Sequence, residues 1–179
     1  ISSSIAIHDE MYRRDRTLWE EMYKPFWRDR RGEVPPGKKD YYPMAVFHYY
    51  AGKLSTIYSR DYIESCQRFD EVPPLTDTQT AALNMFDEMS ENLEFRLDMA
   101  FEPGDIQLLH NHQILHARAG FEDWPEIERR RHLLRLWLCP DDGRPLPDSM
   151  LERYLKIDIG DRGGIIGGNT ELNVPLEPV

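Results

Sequence analysis

The stretch from Gly104 to Leu138 constrains this chain more than any other. It holds four of the six histidines (His110, His112, His116 and His132) and a dense group of arginines. Pro103-Gly104 marks a turn, after which Ile106, Leu108 and His110 alternate with Gln107, Leu109 and Asn111. Alternation of period two behind a Pro-Gly turn predicts a β-strand. Ile114-Leu115-His116 predicts a second, short strand. The run from Leu133 to Leu138 is apolar except for Arg135 and predicts a third, central strand. By alternation Leu133, Arg135 and Trp137 share one face, expected to line an interior. A guanidinium there needs an anion, because an unpaired buried charge is very costly. A histidine at one strand end and an arginine inside the next strand point to a metal ligand beside an anion clamp.

Composition narrows the field. A chain of 179 residues fits one domain and can bury a sizeable core. The net charge of −10 argues against nonspecific binding to nucleic acid or to an anionic membrane, which needs basic patches. Cys66 and Cys139 stand far apart without C-x-x-C spacing, so a disulfide framework is not expected and a reducing, cytoplasmic setting fits. No apolar run reaches membrane length, and no signal peptide is visible.

Ile1 to Ile7 is expected to be a strand. His8 to Tyr23 is expected to be a helix with Met11, Leu18, Trp19 and Met22 on its apolar side, ended by Pro25. Residues 28–40 are charged and rich in Gly and Pro, which predicts a mobile loop with Arg28, Arg30 and Arg31 in solvent. Tyr42 to Ala51 and Lys53 to Arg60 are expected to be strands joined at Gly52. His48, among aromatics, is expected to be a packed core histidine, and Arg60 a surface partner of Asp61 or Glu64 or a ligand contact. Thr76 should cap a helix running to about Asn92, with Ala82, Leu83, Phe86, Met89 and Leu93 on its buried face. Phe95 to Phe101 alternates strictly and predicts a half-buried strand. Residues 120–128 predict an acidic surface loop. From about residue 140 a Gly- and Pro-rich tail follows, with a short helix near ERYLKI. The segment GDRGGIIGGN lacks the context of a phosphate loop and is expected along the surface.

An ordered set of segments resembles the C-terminal part of the TauD/TfdA-like iron(II)/2-oxoglutarate-dependent dioxygenases. These are Gly104-Asp105-Ile106, the block from Asn111 to His116-Ala117-Arg118, the block from Arg131 to Arg135, and Arg144 to Pro147. Upstream, YSRDYIESCQRF and VPPLTDTQTAAL carry the same likeness, so it covers most of the chain. The resemblance implies a double-stranded β-helix, or jelly roll, of α+β or mainly β class with flanking helices. It implies oxidative decarboxylation of 2-oxoglutarate to succinate coupled to hydroxylation of a small organic substrate by O2. Iron in such enzymes is held by two histidines and one carboxylate, with open positions for oxygen and co-substrate. The match puts the distal, catalytic iron ligand at His116, the clamp on the far carboxylate of 2-oxoglutarate at Arg135, and Arg131 beside it. Guanidinium forks suit carboxylates and stay charged, and imidazole suits iron(II). A Ser near the N-terminus (Ser2, Ser3 or Ser4) is implied as a 2-oxoglutarate contact, with the register open and plain structural serines favoured for each.

The first histidine and the carboxylate of the family come from an H-x-D/E motif. His8-Asp9-Glu10 has that form but sits in the segment that follows the motif in the family. The expectation is therefore a single partial catalytic domain over residues 1–179 whose remaining iron ligands precede Ile1. Two other readings stand beside it. One is a cupin-like metal protein using His110, His112 and His116 together; the other is an inactive jelly-roll binding module.

Overall fold

The computed structural model describes residues 1–163. Its ordered heart is the first half of the chain. After a short strand β1 (Ser2–Ser3), helix α1 (Ser4–Arg14) starts because the Ser3 hydroxyl accepts the Ala6 N–H at 3.3 Å. The expected strand over residues 1–7 thus ends after two residues, since a capping serine turns the chain into a helix. The expected helix from His8 to Tyr23 is two helices. Asp15 is extended, ends α1, and caps α2 (Arg16–Glu21) by accepting the Leu18 N–H at 3.0 Å.

Strand β2 (Phe26–Asp29) pairs antiparallel with β3 (Tyr41–Met44). Strand β4 (Phe47–Tyr50) pairs with β5 (Lys53–Thr56), Tyr50 lying opposite Lys53. The two residues between them, Ala51 and Gly52, have φ of 49° and 73°, a tight hairpin turn for which Gly52 is well suited. The expected single strand from Tyr42 to Ala51 is therefore split between two sheets. Helix α3 (Arg60–Ser65) follows, and then α4 (Asp77–Glu91). Thr76 and Gln79 form a reciprocal capping box at its start. As expected, α4 buries Ala82, Leu83, Phe86 and Met89; Leu93 lies beyond its end and is exposed. That stripe packs with Ile7, Met11, Met22, Phe26, Val46 and Phe47 into the main core. At about 1.5–3 kcal/mol per large apolar side chain, the stripe alone anchors the helix.

Beyond Phe95 the expected strands do not form, with one exception. Strand β6 (Ile114–Leu115) pairs antiparallel with β1, Ser2 opposite Leu115. Residues 112–115 lie between two elements, because Thr56 N–H donates to His112 O and Ser4 N–H to Gln113 O. Residues 99–111 and 116–139 otherwise carry no strand. Ile106, Leu108, Leu136 and Leu138 are each more than 70% exposed. Among the described residues the sheets are four two-stranded antiparallel pairs that do not close into a barrel, so a jelly roll is not seen there.

The loop expectation also changes. Arg28 is 1% exposed and Arg30 6%, not in solvent. Arg28 lies in β2 and donates to Ala45 O and Ile57 O; Arg30 reaches across to Glu152. Among the described residues beyond 140, part of the Gly- and Pro-rich tail is packed. Leu146, Met150 and Tyr154 join Tyr42, Met44 and Ile57 in a second core cluster. The short helix is α5 (Leu151–Tyr154), followed by the hairpin β7 (Ile157–Asp158) and β8 (Asp161–Arg162). Most of GDRGGIIGGN lies outside the described residues.

Candidate iron and co-substrate site

His116 follows β6 and is exposed. Arg131 is exposed; its backbone N–H donates to the Asp123 carboxylate, and its guanidinium lies 5.6 Å from the Phe121 ring centre. Arg135 is also exposed, among Leu133, Leu134, Leu136 and Trp137, which are all about half exposed or more. The interior, strand-borne position expected for Arg135 is thus not found. A strand needs a neighbour for its N–H and C=O groups, and this run has none among the described residues. None of the three lines either described cavity.

The other side chains weighed as candidates already have partners. His8 and Glu10 lie on helix α1, where positions two apart face in different directions, so they do not form a strand-like H-x-E pair. The His8 ring contacts Asp9 Oδ1 and the Tyr23 hydroxyl, each at 2.8 Å. Glu10 binds Arg13 and Arg14, which in that order hold its carboxyl down at about 2. All three N-terminal serine hydroxyls have partners: Ser2 donates to Ser90 O, Ser3 caps α1, and Ser4 donates to Gln113 O. Arg60 binds Glu64, Asp87 and Asn84, an ion-pair role that joins α3 to α4. His48 is a core residue, 7% exposed, with Nε2 3.1 Å from Ala45 O; burial pushes its pKa to about 4.

His110 and His112 stack edge to face with centroids 6.1 Å apart. Burial, then Arg144 and Arg162, push the His112 pKa to about 4. No group of three His, Cys, Asp or Glu side chains that could hold a metal occurs among the described residues. His116 therefore belongs to no set of three such donors among the described residues. Its imidazole is the ligand type of an iron(II) centre, but the described residues do not by themselves fit a complete centre.

One cavity of about 590 Å³ does gather ionisable groups. It opens between α1, β5 and the entry to β6, and His8, Asp9, Lys53, His110, Gln113 and Arg144 line it. Sequence spacing gave no sign of this group, because Arg144 reaches Leu54 and Ser55 across about half the chain.

Comparison with known proteins decides the family. The sequence profile described as taurine catabolism dioxygenase TauD, TfdA family, matches residues 1–137. The chain belongs to the TauD/TfdA family. A protein named FR-33289 synthase, from Streptomyces rubellomurinus, is 32% identical over 84% of this chain and 45% of its own length. A taurine hydroxylase-like protein, SAT17, from Stachybotrys chartarum, is 44% identical over 38% of this chain and 17% of its own length. The chain thus spans less than half the length of either curated relative. Members of the TauD/TfdA family are generally iron(II)- and 2-oxoglutarate-dependent and act on small molecules with O2. The family implies a jelly roll, of which the described residues show only small antiparallel pairs. Among those residues no helix is long and apolar enough to cross a membrane.

Proposed function

We propose that this chain carries the distal half of an iron(II)- and 2-oxoglutarate-dependent oxygenase site that hydroxylates a small organic substrate. The observation that supports this reading is the family match over residues 1–137, which contains His116, Arg131 and Arg135 in their expected order. In it, His116 contributes one imidazole to iron. Arg135 grips the far carboxylate of 2-oxoglutarate with a two-pronged guanidinium, and Arg131 adds positive charge at the same end. The second imidazole and the carboxylate that iron requires do not come from His8 and Glu10, whose side chains are engaged elsewhere. Bound iron would supply the site for oxygen activation; the protein's own part is to position the reactants and to exclude water.

The test is an anaerobic iron(II) titration of this 179-residue chain. One ligand of three gives weak binding. Stoichiometric, sub-micromolar binding would overturn the ligand assignment. In the iron-binding protein that carries this segment, His116→Ala should abolish iron binding, whereas His110→Ala and His112→Ala should be mild. Equal loss in all three would instead favour a cupin-like site. In that protein, where the proposal encloses Arg135 on the co-substrate, Arg135→Ala should weaken 2-oxoglutarate by roughly 30-fold to several thousand-fold, the range for losing one partner of a charge pair that binding buries. Arg135→Lys should restore part of that affinity, because it keeps the charge and loses the fork.

A further inference from the structure

The cavity between α1, β5 and the entry to β6 holds an uncompensated positive charge. Arg144 is 7% exposed, yet among the described residues its guanidinium has only neutral partners, Leu54 O and the Ser55 hydroxyl. Its Nε is buried with no hydrogen-bond partner among the described residues. Burial, and then the neighbouring Arg162, pull its pKa below the usual arginine range, and no carboxylate opposes them. Arg162 itself donates to Arg144 O and lies against His112, again without a carboxylate. Lys53 stands at the rim of the same cavity, and His110 lines it. Asp9 is the cavity's acidic group; its side chain is 73% exposed and is spent on His8.

Arg28 is buried on carbonyl oxygens in the same way, but it lines neither described cavity, whereas Arg144 faces one. In a chain of net charge −10, carboxylates outnumber cations, and Arg13, Arg14, Arg30, Arg60, Arg68 and Arg96 each have one within reach. A buried guanidinium without an anion is costly unless something supplies the charge. The cavity opens to solvent, and a guanidinium without an anion beside an exposed ammonium is the chemistry that takes up an oxyanion.

We propose that this cavity binds the oxyanion group of a small organic acid or phosphate ester, held by Arg144 with Lys53 and His110 closing over it. The cavity meets β6 at Gln113, the end opposite His116. The proposal uses no iron and neither Arg131 nor Arg135, so it can fail while the oxygenase reading stands, and the reverse.

The test is an NMR titration of the chain with inorganic phosphate at fixed ionic strength, chloride serving as the counter-titrant. Saturable shifts at Lys53, His110, Gln113 and Arg144 are expected. Lys53→Gln should weaken phosphate about threefold, the scale of one exposed ion pair. Arg144→Gln should weaken it by roughly 30-fold or more. Arg144 also ties down β5, so a melting curve accompanies that variant. If it fails to fold, Arg144→Lys and Lys53→Glu decide: the first should bind with intermediate affinity, the second not at all. A carboxylate probe (acetate) and a phosphate monoester (methyl phosphate) then separate the two ligand sources. Shifts that do not saturate, or that match those caused by chloride, would overturn the proposal. So would affinity unchanged in Lys53→Glu, or lost in Arg135→Gln.

Discussion

Residues 1–95 and residues 99–139 are both rich in patterned apolar side chains, yet only the first region is packed. In the first, Ile7, Met11, Phe47, Leu83 and Phe86 are essentially inaccessible to water. In the second, Ile106, Leu108, Leu136 and Leu138 are largely exposed. Hydrophobicity does not separate the two regions; the source of their backbone hydrogen-bond partners does. Helices α1 and α4 satisfy their own N–H and C=O groups, and β4 finds β5 across a two-residue turn. The alternating segments at 106–110 and 133–138 need strands from elsewhere, and among the described residues only the two-residue β6 obtains one. The proposed iron ligand and co-substrate arginines fall in the second region. The proposed oxyanion cavity draws on the first, with His110 and Arg144 added.

The largest effect that would sharpen this contrast lies in the main core. Phe86 is fully buried, 4.4 Å centroid to centroid from Tyr58 and 5.9 Å from Phe47. Phe86→Ala should cost about 3–5 kcal/mol in urea unfolding. A loss below about 1 kcal/mol would mean that the core is far looser than its burial indicates.

Acid comes next. His48 and His112 are held near pKa 4, in both cases chiefly by burial. In the unfolded chain each reverts to about 6.5. Between those values the unfolded chain binds protons that the folded one refuses, so stability falls as pH drops from about 6.5 towards 4. Above about 6.5 neither group contributes to the slope. The full loss amounts to about 3 kcal/mol per histidine at most. Denaturant midpoints measured across that window should flatten in His48→Gln if the folded protein tolerates it. An unchanged slope in that variant would remove His48 from the account.

A smaller effect tests a local signal. Thr76→Ala removes one half of the capping box of α4 and should cost about 1 kcal/mol. A cost indistinguishable from zero would show that tertiary packing alone sets the start of that helix.

Such local signals are what the sequence made legible. The capping box at Thr76 and Gln79, the buried stripe of α4, the Gly52 hairpin turn, the packed His48 and the short strand at Ile114 all depend on neighbours a few residues apart. The misread parts depend on long-range contacts. Arg28 and Arg30 read as solvated because they belong to a charged run, but Arg30 is buried by Glu152, at the far end of the chain. Arg144 was visible as part of a family segment, but its place beside Lys53 and His110 was not. For the site itself, spacing identified which residues match the family. It did not identify where they sit, because an alternating pattern specifies a strand only when a partner strand is present.

The last prediction has the smallest expected effect and bears most directly on the contrast. Leu136 is 73% exposed and is flanked by Arg135 and Trp137, which are exposed as well. Leu136→Asn removes no packed contact, so it should shift stability by no more than about 0.5 kcal/mol, as surface substitutions do. Arg135→Ala should be equally quiet. In a central strand with Arg135 facing an interior, the outcome would differ: losing one partner of a buried charge pair costs roughly 2–5 kcal/mol. Leu83→Ala, in the buried stripe of α4, is the internal control and should cost about 2–5 kcal/mol. Urea unfolding of the three variants in parallel separates the alternatives. If Leu136→Asn or Arg135→Ala approaches the Leu83→Ala value, the run from Leu133 to Leu138 is a buried strand of this chain in solution, and the contrast between the two regions fails. If both stay near zero while Leu83→Ala falls, the apolar run lacks a partner strand in this chain alone.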